Sequence, residues 1–284
     1  MSQAHEFHYR VPRRSAGWRP GAHPGSSLGP GQEFVAHGRL YDWPDPRRLD
    51  LRASLREVRG DWLVRINRQR ISVPVHVVVD VSGSMRFGQP RSKLQIAADF
   101  VEALGHSTFR VGDPLGMVAF DARARDDLFV PALLSRGTGT LMAAALRQCE
   151  GSAGGSTGLE DAVLRLAGHA GLVFLVSDCQ FPLDTLDAAL DLLAAAFVVP
   201  LIVSDRAEWE PPPATALLAV RDAESGARRT LWLRPSVRAR WRDAVAQRRV
   251  ELDERFEARG IRPLHLRGEF DAEALSRYFF EIST

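Results

Sequence analysis

The feature that most constrains this chain is a run of β-branched apolar residues that ends in an acid. Ile71–Val79 reads ISVPVHVVV, and Asp80-Val81-Ser82-Gly83-Ser84 follows directly. A run that is apolar on both faces predicts a strand buried in a mostly parallel sheet. Leu172–Val176 and Phe197–Val203 have the same character, and Leu115–Phe120 reads as a further central strand. Leu128, Phe129 and Val130 suggest an edge strand. Helical segments separate these runs. In Ser92–Phe109 the apolar positions Leu94, Ala97, Phe100, Val101 and Leu104 line one helix face. Thr138–Gln148, Leu159–Ala167 and Leu183–Ala196 are Ala- and Leu-rich helices. Strands alternating with helices predict an α/β fold with a doubly wound, mostly parallel sheet.

Open α/β sheets place their sites beyond the carboxyl ends of the strands. Asp80 sits there, and Ser82 and Ser84 follow at alternate positions. Three hard oxygen donors in that place suit Mg²⁺ or Mn²⁺. Two later segments have related chemistry. Gly154-Gly155-Ser156-Thr157-Gly158-Leu159-Glu160-Asp161-Ala162 is a Gly-rich loop leading into a helix, and Val176-Ser177-Asp178 ends another buried strand in an acid. A D-x-S-x-S pattern alone is a weak signal. Its plainer reading has Ser82 and Ser84 capping the next helix and the aspartates ending strands. The three segments in order favour a site.

The chain reads as three regions. Residues 1–70 are an N-terminal arm and a following segment. GWRPGAHPGSSLGPGQEF is too rich in Gly and Pro for a helix and reads as an extended arm or loop, with Trp18 and Phe34 able to pack on the core or a partner. Leu63–Asn67 alternates like a half-buried strand. Residues 71–204 form the α/β core. Residues 205–284 are a C-terminal extension. In it, Leu217–Arg221 and Thr230–Leu233 flank Glu224-Ser225-Gly226-Ala227 as a hairpin. A long helix starts at Pro235 and stops at Gly260, and Asp271 caps a final helix.

Composition excludes several function classes. No apolar run reaches the length of a membrane span, and the N-terminus lacks the apolar core of a secretory signal. Cys149 and Cys179 are the only cysteines, so a disulfide framework is not expected and a reducing cytoplasm is the simplest setting. A net charge of +2 gives no ground for nucleic-acid binding. Arg228–Arg262 is locally basic but carries no recognised RNA or DNA motif, and reads as a solvated helix face. Lys93 is the only lysine, a bias that resembles GC-rich coding.

The strand, D-x-S-x-S, Gly-rich loop and second strand–Asp together resemble the metal-ion-dependent adhesion site of von Willebrand factor A (VWA) domains. The flanks resemble the MoxR-associated bacterial VWA proteins, a family long named only as a domain of unknown function. Arg39, Tyr41, Asp45, Arg47 or Arg48, Leu49, Asp50 and Ser54 fill that family's upstream pattern. Ser84-Met85, Phe87-Gly88, Ser92-Lys93-Leu94 and Gly112-Asp113-Pro114-Leu115-Gly116 match it further on. Trp43-Pro44-Asp45 replaces the usual Gly-Asp-Asp, and Leu51 stands where a Trp is common. The resemblance covers roughly residues 35–284. It implies a metal set of Asp80, Ser82, Ser84, Thr157 and Asp178, with Mg²⁺ or Mn²⁺ as the ion. It also implies a non-catalytic adaptor that docks a partner's acidic side chain and works beside a MoxR-type AAA+ ATPase on a client complex. The short form with a Gly-Pro-His arm and no membrane helices resembles accessory proteins of methanol dehydrogenase gene clusters.

Two other readings compete with the adaptor. A metal-dependent hydrolase or phosphoryl-transfer enzyme needs a general base or second ion beside the first. No His–Glu pair stands at catalytic spacing, and His76, His106 and His169 read as structural. Asp205 could approach the rim from the fourth strand. A scaffold that no longer binds metal is disfavoured by the complete ligand set. Cys179, beside Asp178, reads as a small half-buried residue instead of a thiolate ligand.

Overall fold

The computed structural model describes residues 6–11, 20–29, 31–149, 155–212, 217–221 and 226–282. Trp18, Gly154, Pro213, Glu224 and Ser225 lie outside the described residues. The chain divides into two compact units, Val11–Val73 and Met1–Arg10 with Pro74–Thr284.

The smaller unit holds strands β1 (Pro20–Gly29) and β2 (Glu33–Arg39), a short helix α1 (Leu51–Ser54) and strand β3 (Leu63–Ile71). β3 runs antiparallel between the other two. The GWRPGAHPGSSLGPGQEF stretch, expected as an extended arm or loop, therefore holds β1 and the start of β2. Gly and Pro argue against a helix, but an edge strand tolerates them, and the β1 register shifts at Pro20/His23 and Pro24/Leu28. A Cβ on Gly31 would lie 1.7 Å from the Arg68 carbonyl oxygen, so only glycine allows this backbone approach. Asp50, from the family-like pattern, organises the unit. Its carboxylate caps α1 by accepting from Ala53 N and also accepts from Arg65 Nε at 2.8 Å. The Ala53 amide first, then Arg65 and His37, hold it well below the usual carboxylate range. Ser54 Oγ accepts from Leu63 N and donates to Asp50 O, which ties α1 to β3.

The larger unit contains β4 (Val75–Asp80), α2 (Lys93–Val111), β5 (Leu115–Phe120), β6 (Ala124–Leu133), α3 (Thr138–Gln148), α4 (Leu159–Leu164), β7 (Leu172–Ser177), α5 (Leu183–Leu192) and β8 (Phe197–Ser204). It continues through α6 (Arg206–Trp209), the antiparallel hairpin β9 (Leu217–Arg221) and β10 (Arg228–Trp232), α7 (Pro235–Glu257), β11 (Leu264–Arg267) and α8 (Ala272–Ile282). Six strands form one sheet in the order β11-β8-β7-β4-β5-β6. All its pairs are parallel except β5–β6. The ISVPVHVVV run is split: Ile71 ends β3 and β4 begins at Val75, because Pro74 cannot donate to a ladder. β11 extends the sheet beyond the four parallel strands expected from sequence.

Alternate side chains of β7 show what covers the two faces. Val173 and Leu175 join an apolar cluster with Leu159 and Val163 of α4, Leu186 and Leu190 of α5, and Leu252 and Phe256 of α7. Phe174, between them, meets Phe100 of α2 at 5.1 Å and Phe279 of α8 at 6.1 Å between ring centroids. Helices thus pack on both faces, as a doubly wound sheet requires. Phe7 completes the second cluster. It is fully buried and stacks on Phe100 at 6.0 Å.

α7 is held by two buried apolar residues and by charge. Only Leu252 and Phe256 are buried along it. Arg255 pairs with Asp187 of α5, and Arg259 reaches Asp187 and Asp191. Arg248 Nη2 donates to the carbonyls of Cys179 and Phe181. Part of the basic Arg228–Arg262 segment is therefore structural, a role the solvated-face reading did not foresee.

Candidate metal centre

β4 is flanked by β5 on one side and β7 on the other, so the chain order reverses there. The carboxyl ends of β4 and β7 meet at this reversal, the place where open α/β sheets leave a crevice. Asp80 ends β4, and Asp178 follows β7 immediately. Both are buried. Asp80 Oδ1 accepts from the backbone N–H of Ser82 at 2.9 Å, which folds the D-x-S turn back on itself. The Ser82 and Ser84 hydroxyl oxygens lie 3.2 Å apart. A short 3₁₀ turn over Gly83–Arg86 presents them. The two aspartates and two serines predicted from sequence are thus placed at two adjoining strand ends.

Thr157 is placed differently. It is exposed, and its hydroxyl donates to Ala122 O at 3.1 Å. Gly158 N donates to Asp121 O at 2.9 Å, so the Gly-rich loop docks on the turn after β5. β5 is the neighbour of β4, with Phe120 in register with Asp80. The oxygen of Thr157 keeps lone pairs beyond its own donated bond, so it can still act as a donor to a cation. The residue before it is buried, and Ser156 Oγ has no hydrogen-bond partner among the described residues. A buried hydroxyl without a partner costs about 1–3 kcal/mol, which a water or an ion at the rim would remove.

Three further residues, Ser177, Lys93 and Glu208, pack against these groups, and none of them was expected at the site from sequence. Ser177 Oγ donates to Asp80 Oδ2 at 2.7 Å and accepts from Cys179 N at 2.9 Å. Lys93, fully buried, places its Nζ 2.5 Å from Asp178 Oδ2 and 2.5 Å from Glu208 Oε1. Glu208 belongs to α6 and also accepts from Asp205 N at 3.0 Å. Asp205, offered by sequence as a possible rim acid, caps α6 through Ala207 N and accepts from Gln89 N. It anchors the loop after the serines. Two sequence signals point to Lys93: its place in the family-like Ser92-Lys93-Leu94 and its uniqueness among 37 Lys and Arg residues.

Charge at the centre follows from this packing. Burial first, then the neighbouring Asp178 carboxylate, push the Asp80 carboxyl above the usual range, against the hydrogen bonds from Ser82 and Ser177. Burial pulls the Lys93 ammonium down, but Asp178 and Glu208 outweigh it, so Lys93 stays charged. Burial, with Asp178 and Asp80, pushes the Cys179 thiol far up, which removes thiolate character. Cys149 and Cys179 form no disulfide.

The donor set fits a hard cation. Two carboxylates and three hydroxyls are all oxygen donors of the kind Mg²⁺ and Mn²⁺ take. Among the described residues no three His, Cys, Asp or Glu side chains converge as a metal cluster, so a cation here depends on the hydroxyls as well. Asp178 and Glu208 also line a cavity of about 880 Å³ walled by Trp209, Trp241, Val245 and Leu252.

No helix among the described residues is long and apolar enough to cross a membrane. No curated protein matches the chain. The solved structures similar to it include two from Bacteroides. BatB from Bacteroides thetaiotaomicron, a conserved hypothetical protein, is 17% identical with a TM-score of 0.46, covering 75% of this chain and 98% of that one. An aerotolerance-related membrane protein from Bacteroides fragilis is 15% identical with a TM-score of 0.43, covering 74% and 98%. Residues 39–251 match DUF58, described as a protein of unknown function. The match spans three quarters of the 284 residues, and the chain therefore belongs to the DUF58 family.

Proposed function

We propose that this protein is a non-catalytic, metal-dependent protein-binding adaptor of VWA type. Asp80, Ser82, Ser84, Thr157 and Asp178 would hold one Mg²⁺ or Mn²⁺, some of them through water, because Mg²⁺ dehydrates reluctantly. The ion supplies an open position with affinity for a carboxylate, and the chain's own residues orient and neutralise it. The observation that carries this reading is the meeting of Asp80 and Asp178 at the strand-order reversal, with the Ser82 and Ser84 hydroxyls 3.2 Å apart beside Asp80.

The partner is read as an acidic side chain of a MoxR-type AAA+ ATPase or of its client, in the manner of MxaS-like accessory proteins. The client is then an enzyme under maturation, with methanol dehydrogenase the first to test. Formal charge supports a carboxylate partner. Two site carboxylates offset a divalent ion and the hydroxyls are neutral, so a third carboxylate is attracted to the ion without a large surplus of negative charge. Co-purification with a MoxR-type AAA+ ATPase tests the reading. Retention should fail in EDTA, recover with Mg²⁺, and fail for Ser82→Ala combined with Ser84→Ala. Retention that survives both treatments would place the contact elsewhere on the chain.

A further inference from the structure

Lys93 is the single lysine of a chain that carries 36 arginines, and it is fully buried. It stands between two carboxylates from distant segments, Asp178 after β7 and Glu208 of α6, at 2.5 Å from each. That position suits an ammonium. Its three donors can meet one oxygen from each of two carboxylates, whereas a planar guanidinium needs a wider, coplanar slot. Glu208 is in turn tied to its surroundings: its carboxylate caps α6, and its carbonyl accepts from Trp241 Nε1 of α7 at 2.8 Å. The ammonium therefore cannot leave Asp178 without disturbing a packed element.

We propose that Lys93 sets the net charge of the metal centre, weakening its hold on a bare cation so that a partner's carboxylate can join; this rests on the metal reading above. Asp80, Asp178 and Glu208 carry three negative charges when ionised, and Lys93 carries one positive charge. The sum is two negative charges, which one divalent ion neutralises. A neutral cluster accepts a further carboxylate. Without Lys93 the cluster carries three negative charges, binds the ion more tightly, and remains negative when the partner's acid arrives. Like charge then opposes docking. Lys93 thus acts on the ion through Asp178, as a positioning and charge-setting residue.

Charge-matched variants test this. The set is Lys93→Met, Glu208→Gln, the double variant, and Asp80→Ala, each titrated with Mg²⁺ by calorimetry after its fold is checked by circular dichroism and thermal melting. Lys93→Met should bind Mg²⁺ about tenfold more tightly than the natural sequence, and Glu208→Gln about tenfold more weakly. The double variant, whose summed charge equals that of the natural chain, should return to within about threefold. Retention on a MoxR-type AAA+ ATPase should fall for Lys93→Met while its Mg²⁺ affinity rises. A purely structural role for Lys93 would lower both. If Lys93→Met does not fold, the Glu208→Gln and double variants still decide the matter. Unchanged Mg²⁺ affinity across the folded members, with binding lost in Asp80→Ala, overturns the role of Lys93 alone. Unchanged binding in Asp80→Ala as well overturns the metal reading itself.

Discussion

Ser177 Oγ donates to Asp80 Oδ2 across the β4–β7 pair, at 2.7 Å. The same oxygen accepts from the backbone N–H of Cys179, whose φ of 54° turns the chain sharply after Asp178. Its own proton is therefore free for Asp80. One hydroxyl couples the strand end that carries the first aspartate to the turn that carries the second. Ser177→Ala leaves a buried carboxylate oxygen and a buried N–H without this partner. Urea unfolding should show a loss of about 1–3 kcal/mol, and Mg²⁺ affinity should fall with it. Ser177→Thr, which keeps the hydroxyl, should lose less of both.

Ser156 gives a prediction of unusual sign. Its hydroxyl is buried with no partner among the described residues. Without metal, Ser156→Ala should leave stability unchanged or raise it by up to about 1 kcal/mol, because an unsatisfied group is removed. A clear loss of stability in the metal-free variant would show that the hydroxyl has a partner of its own.

Phe7 lies in a region that composition marks as an arm, yet it is fully buried against Phe100, Phe174 and Phe270. Phe7→Ala should cost about 3–5 kcal/mol in denaturant unfolding. A change below 1 kcal/mol would mean that the N-terminal segment leaves this pocket in solution.

His76 predicts a pH dependence. It lies within β4, and burial, then the charge of His169, lower its pKa from 6.5 to about 4. Between those values the unfolded chain binds a proton that the folded chain does not. Stability should be full above about pH 6.5 and fall as the pH drops toward 4, by up to about 3 kcal/mol from this group. His76→Gln should flatten that part of the profile. An equally steep fall in the variant would assign the effect to other groups.

The legible part of this fold was its central sheet. Val75–Asp80, Leu115–Phe120, Leu172–Ser177 and Phe197–Ser204 are apolar on both faces, and that pattern survives without knowledge of their partners. β1 and β11 were not legible. The first is rich in Gly and Pro, and the second is four residues whose only support is its pairing with β8. The same division holds at the site. Asp80, Ser82 and Ser84 are close in sequence, so a motif finds them. Ser177 meets Asp80 across 97 residues, and Lys93 meets Glu208 across 115, so neither pair has a local signature. Thr157 was proposed from its loop, and its bond to Ala122 depends on how that loop docks, which spacing does not encode.

The central claim is that Asp80 and its neighbours hold one divalent cation. Calorimetric titration with Mg²⁺ and with Mn²⁺, on the natural sequence and on Asp80→Ala, tests it most directly. The account predicts one ion per chain for the natural sequence and no measurable binding for a folded Asp80→Ala. Equal binding of either ion by both proteins would contradict it.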